Sequence, residues 1–143
     1  MKYLFSFFTL ILIFSCQTPA DVVSDRVEIK TILLKQQKAW SQNNIEEFMQ
    51  GYWKSDSLKF YSGAQLNMGW ENTLKNYKTR YPSKAHSGVL NFNLVDISKI
   101  NQDAYWVMGE YHLKREVGDA KGTFMIIFKR INGEWKIVAD SSC

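Results

Sequence analysis

"FMIIFKRINGEWKIVAD", residues 124–140, fixes the reading of the rest of the chain. Two runs rich in β-branched and aromatic residues flank Asn132-Gly133, and Asn-Gly between apolar runs is the strongest short-range hairpin signal. The spacing predicts strands over 122–131 and 134–139. Working back toward the N-terminus, the same period of two continues over 104–115 and 89–97, with Gly118-Asp119 as a weaker turn. Four strands in succession predict a meander.

Ahead of Pro82 the period changes to about 3.6. Trp70, Leu74, Tyr77 and Tyr81 recur at i, i+4, i+7 and i+11, which predicts a helix that Pro82 stops. Residues 58–62, "LKFYS", read as a short strand closed by a Ser62-Gly63 turn. Before it, Ile45, Phe48, Met49 and Tyr52 share one side of a helix, with Asn44 as N-cap and Glu47 completing a capping box. Ile29, Ile32, Leu33, Gln36 and Trp40 mark an earlier amphipathic helix that Thr18-Pro19 can open and Asn43-Asn44 ends. Helices first and a meander after predict an α+β fold: a strongly bent antiparallel sheet closing over three helices on one face. No repeat or low-complexity segment is present.

A length of 143 residues allows one domain with one core. Lys2 and the apolar run 3–14 have the form of a signal peptide, too short for a spanning helix, which needs about 20 apolar residues. "IFSC", residues 13–16, resembles the bacterial lipobox, in which the cysteine is lipidated and becomes the mature N-terminus. The expected organisation is a signal peptide over 1–15, lipidated Cys16 and a tether over 16–24, and a folded domain over 25–143. This places the mature protein in the cell envelope, held to a membrane by lipid. Cys143 is then the only thiol left, so no internal disulfide is expected. One cysteine with His86 and His112 lacks ligand spacing, so neither metal nor cofactor is implied. Formal charge is +4, or +3 without Lys2, which does not imply nucleic acid. Lys75, Lys78, Arg80 and Lys84 read as a solvated helix face, or as a contact for anionic headgroups.

The segments "QQKAW" (36–40), "FMQGYWKSDSLKF" (48–60), "GW" (69–70), "NYKTRYP" (76–82), "GVLNF" (88–92) and "FMIIFKRINGEWKIVAD" (124–140) together resemble the nuclear-transport-factor-2-like superfamily. The match lies in the branch of SnoaL-like proteins and the domain of unknown function 4440. The resemblance implies a cone-shaped fold. It implies no single activity, because the superfamily holds isomerases, dehydratases and cyclases beside binding and dimerisation modules. That branch often ends Asp-His-Thr-Ser, whereas this chain ends "DSSC", with Ser141 at the histidine position. No role of that histidine carries over.

Candidate chemistry rests on aromatics and two acids. Asp56 has two readings: a base beside Tyr52 and Tyr77 as hydroxyl donors, or a turn acid bonding local backbone N–H groups. Trp40, Met49, Trp53, Trp70 and Tyr111 are candidate pocket walls, and packing explains such rings equally well. Asp140 faces the cavity or caps the chain end. In strand 104–115, Tyr105, Val107, Gly109, Tyr111 and Leu113 form the concave face, with Gly109 leaving space. Trp106, Met108, Glu110, His112 and Lys114 form the other, as a face covered by a second subunit would. Three functions follow: a pocket for a small apolar ligand, an isomerase, dehydratase or cyclase using Asp56, and a homodimerisation module.

Overall fold

The computed structural model describes residues 19–143. Cys16, the signal segment and the Thr18 cap lie outside the described residues. Helix α1 (Pro19–Ser41) opens at Pro19, so that residues expected in the tether are helical. It buries Ile29, Leu33, Gln36 and Trp40, the face its periodicity predicts. Asn43 ends it with φ 58°, a left-handed conformation that asparagine tolerates. The Asn44 Oδ1 then accepts from Glu47 N–H at 3.1 Å and starts α2 (Ile45–Met49). The backbone half of the predicted capping box is taken elsewhere, since Asn44 N–H donates to the Ala39 carbonyl at 2.9 Å.

Helix α2 is only one turn long, and Tyr52, expected on its face, lies beyond it. The backbone there is captured by the sheet: Ile137 N–H donates to Gly51 O, and Trp53 N–H donates to Ile137 O, each at 2.9 Å. Gly51 permits this approach. A Cβ there would sit 2.6 Å from the Gln36 side chain, whose Nε2 donates to Phe48 O.

Strands β1 (Lys59–Ser62) and β2 (Gln65–Met68) form a hairpin. Its second strand, "QLNM", alternates polar and apolar residues over only four positions and buries none of them, too short a run to mark a strand from sequence. Helix α3 (Trp70–Arg80) ends before Pro82, and a single further turn, α4 (Lys84–Ser87), precedes the meander. That meander is β3 (Val89–Asn101), β4 (Ala104–Lys114), β5 (Ala120–Ile131) and β6 (Glu134–Ser142). Asn132 (φ 51°) and Gly133 (φ 86°) make the two-residue turn that joins Ile131 to Glu134.

The six strands form one curved, unclosed sheet in the order β2-β1-β6-β5-β4-β3. It is antiparallel except where β1 runs parallel to β6, pairing Phe60 with Asp140 and Ser62 with Ser142. Three register shifts interrupt it, one of them beside the β3–β4 turn, where Ile100 is the extra residue. Leu94 and Asp96 pair with the adjacent Gly109 and Met108, leaving Val95 as an extra residue. Ile127 and Phe128 pair with Ala139 and Ile137, leaving Val138 extra in β6. Tyr105, Val107 and Leu113 are buried and Tyr111 is half-buried against the core, the expected concave face. Gly109 differs from expectation. A Cβ there would lie 2.6 Å from the Phe124 ring, so the missing side chain admits that ring and opens no space.

Asp25 of α1 is 3% exposed and pairs with Arg130 of β5, while Tyr105 O–H donates to its other oxygen at 3.3 Å. Arg130 also lies over the Trp135 ring, 4.4 Å from its centroid. Removing one partner strands a buried charge, which costs about 3 kcal/mol or more. Arg130→Met is therefore expected to lower the urea unfolding free energy by that order. Asp25→Leu with Arg130→Met should restore most of it.

Candidate functional site

Between the concave face of the sheet and helices α1–α3 lies a cavity of about 480 Å³, open at one side. The rings that line it on the helices and on β1 interlock. Tyr77 has Phe48, Phe60 and Trp40 at centroid distances of 5.4, 5.4 and 5.5 Å, and Tyr81 stands 4.5 Å from Trp40. Trp40 is fixed by its indole N–H, which donates to Ser87 O at 2.9 Å. Aromatic edge-to-face pairs of this kind hold ring orientation as well as burying area. The wall is thus rigid, and what it does not fill stays hollow.

Asp140 stands on the sheet side, 7% exposed. The extra residue Val138 puts it there. Trp135 and Ile137 point inward, and strict alternation would turn residue 139 inward next. The bulge reverses the parity, so Asp140 and Ser142 line the cavity instead. Tyr52 O–H donates to Asp140 Oδ2 at 2.6 Å, and Ser142 Oγ–H donates to Oδ1 at 2.6 Å. Tyr77 lines the same cavity, and its hydroxyl interacts with Tyr52 and with the Asp140 charge. Because the Tyr52 proton goes to Asp140, the Tyr52 oxygen is left to accept, and a relay from Tyr77 through Tyr52 to Asp140 needs Tyr77 as its donor. No lysine or arginine lies within salt-bridge distance of Asp140 among the described residues.

Burial lifts the Asp140 pKa from the ordinary 3.8 to about 6, against the opposing effect of the Ser142 and Tyr52 hydrogen bonds. Burial, reinforced by the Asp140 charge, holds both Tyr52 and Tyr77 well above the usual tyrosine value, so both stay protonated at neutral pH.

Of the residues the sequence offered, the cavity collects Trp40, Tyr52, Tyr77, Tyr111 and Asp140. Asp56 is not among them. It is exposed in the turn after Trp53, and the turn is closed by Ser55, whose Oγ accepts from Ser57 N–H at 3.1 Å. Met49 and Trp70 are buried in the packing below, Trp70 Nε1–H donating to Met49 O at 2.9 Å. Trp53 is half-buried and also outside the cavity. Ser141 has the opposite parity from Asp140, pairing with Tyr61 and Met125 on the outer face. Sequence reasoning missed Ser142 and Arg80, whose inward roles depend on the bulge and on β1. The basic stretch disperses: Lys78 pairs with Glu46, Lys84 Nζ donates to the Ser41 and Gly88 carbonyls, and Arg80 turns to the cavity mouth.

No protein-family model matches the chain, and no curated protein matches it. Among solved structures, an NTF2-like protein of unknown function from Shewanella oneidensis MR-1 is 32% identical, with a TM-score of 0.80 over 82% of this chain and 98% of its own. The chain belongs to the NTF2-like family. Two further solved structures of similar shape are LinA and a domain of unknown function with a cystatin-like fold from Nostoc punctiforme PCC 73102. LinA is 17% identical with a TM-score of 0.72, over 87% of this chain and 88% of its own. The Nostoc domain is 12% identical with a TM-score of 0.68, over 88% and 78%. Both show the fold alone.

One consequence for this NTF2-like domain is a pH-dependent stability. The folded chain keeps the Asp140 proton up to about pH 6, whereas the unfolded chain releases it near 3.8. The folded state therefore binds more protons in that window, and stability falls as pH rises through it, by on the order of 3 kcal/mol. Urea titrations from pH 3.5 to 7.5 should show this decline, and Asp140→Asn should flatten it.

Proposed function

We propose that the domain binds a small, largely apolar ligand carrying one hydrogen-bonding group, seated in the aromatic cavity with that group at a chain in which Tyr77 donates to Tyr52 and Tyr52 to Asp140. The observation that carries this reading is a hollow of about 480 Å³ whose lining joins aromatic and aliphatic side chains to polar ones that include Asp140, Tyr52, Ser142 and Arg80. With Asp140 ionised, the Tyr77 oxygen presents lone pairs to the cavity and accepts a ligand hydroxyl. With Asp140 protonated the chain reverses, and Tyr77 donates to a carbonyl. The probe 2-naphthol should bind by titration calorimetry. Ile126→Phe, which fills the cavity beside Asp140, should weaken it at least tenfold while the thermal unfolding remains cooperative. Equal binding by both proteins would refute the site.

A second reading, an isomerase-type enzyme, is favoured by the carboxylate itself, with Asp140 in the place expected of Asp56. Asp140 takes a proton from carbon next to a ligand carbonyl, and the electron pair moves to the carbonyl oxygen as an enolate. Protonated Asp140 no longer needs the Tyr52 proton, so the chain reverses and Tyr77 donates to the enolate oxygen. The proton then returns to carbon. Deuterium exchange at the α-carbons of 2-tetralone, followed by NMR, should rise through pH 6 and fall about 10²–10⁴-fold in Asp140→Asn. Exchange no faster than in buffer would leave binding alone.

We also propose that Cys16 carries the lipid that holds the domain to a membrane of the cell envelope. The supporting pattern is the apolar run ending in "IFSC", with helix α1 starting three residues later. No helix among the described residues is long and apolar enough to cross a membrane. Palmitate labelling and membrane sedimentation should both be lost in Cys16→Ala. A homodimer through the outer sheet face draws support from Met108 and Met125, paired across β4 and β5 and 39% and 46% exposed, next to half-buried Trp106.

A further inference from the structure

The mouth of the cavity carries a cation with no acidic partner. Arg80, in the last turn of α3, donates from Nη1 to Ser62 Oγ at 2.8 Å. No carboxylate lies within salt-bridge distance of it among the described residues. It is also the only lysine or arginine among the described residues lining the cavity. Lys78 and Lys84, its neighbours in sequence, are engaged by Glu46 and by backbone carbonyls. A guanidinium offers its N–H groups in a planar fork, so one bond to Ser62 leaves the geometry for a carboxylate intact.

The frame sets the distance between this cation and the floor. Ser62, which holds Arg80, pairs with Ser142, two residues along β6 from Asp140. Two strand residues span about 7 Å. On the helical wall Tyr77 and Arg80 are three residues apart, a rise of about 4.5 Å. Both walls thus place the cation one step further out than the hydroxyl chain, with Phe60 and Tyr81 beside the intervening space. Rigid bicyclic aromatics have about this length between opposite substituents.

We propose that the ligand is an apolar-bodied carboxylic acid, its carboxylate held at the mouth by Arg80 and its far end, a hydroxyl or carbonyl, at Tyr77. The assignment rests on the binding reading above and narrows it from small apolar molecules to amphiphilic acids about the length of a naphthalene between their two polar groups. An ion pair at the mouth also fixes the direction of entry. The acid end stays outermost, away from the Asp140 charge.

The test compares 6-hydroxy-2-naphthoate, its methyl ester and 2-naphthol by titration calorimetry at pH 7.5 with the full chain. The acid should bind about tenfold more tightly than the ester or 2-naphthol, the scale of one charge-assisted hydrogen bond. Arg80→Gln should bring the acid-to-naphthol ratio close to one, and Arg80→Lys should keep part of it. Because Arg80 is exposed, both variants should melt as the parent does. If 2-naphthol binds and the acid shows no preference, or if Arg80→Gln leaves the preference in place, the anion assignment fails and the pocket stands. If none of the three compounds binds, both fail.

Discussion

One extra residue in β6 orders the interior of this protein. A strand shows its side chains to alternate faces, so a residue is committed to core or outer face by its distance from the last fixed position. Trp135 and Ile137 are fixed by burial, and without interruption Ala139 and Ser141 would follow them inward. Val138 absorbs one step, and the inward set becomes Asp140 and Ser142. The partners need that phase. β1 lays Phe60 beside Asp140, β5 lays Ile126 beside it, and Tyr52 is carried to the site by the bridge of its own backbone to Ile137. The acid, its two hydroxyl donors and its apolar neighbours all take their positions from the same shift.

The cavity exists because its walls are stiff in different ways. The sheet side is bent by the shifts at Val95 and Val138, and Phe124 presses into the gap left by Gly109. The helical side is a set of rings whose polar atoms are spoken for: Trp40 by Ser87, Trp70 by Met49, Tyr52 by Asp140. Side chains committed in this manner cannot swing into the void to fill it. Rings that looked like simple packing in the sequence therefore divide into two groups. Trp70 fills space together with Met49, while Trp40, Tyr77 and Tyr111 border it.

Much of the architecture was legible because it rests on period and on turn chemistry. Asn132-Gly133 located the hairpin, Pro82 the end of α3, and the positions from Ile29 to Trp40 the buried face of α1. What was not legible depends on events that leave no periodic trace. β2 is four residues long and leaves Leu66 and Met68 exposed, so its existence follows from pairing with β1. A bulge cannot be read from "KIVAD", where Val138 and Ala139 are equally apolar, and so the direction of Asp140 stayed open. Asp56 drew attention through proximity in sequence to Tyr52 and Trp53. The backbone, however, leaves the core after Trp53, and Tyr52 meets its acid from the other end of the chain. Arg80 read as solvated surface because Ser62, which turns it toward the mouth, is remote along the chain.

The parallel seam between β1 and β6 bears on the order of assembly. Strands β3 to β6 are joined by tight turns and form from neighbouring residues, but Lys59 meets Ala139 only after the whole intervening chain has been laid down. Contacts of such sequence separation carry a high loop-closure cost and tend to form late. Phe60 and Ser62 are on that seam, and Asp140 faces it. The hollow and its acid are thus completed in the closing step of folding, and partial unfolding that releases the seam is expected to open the cavity while the meander persists.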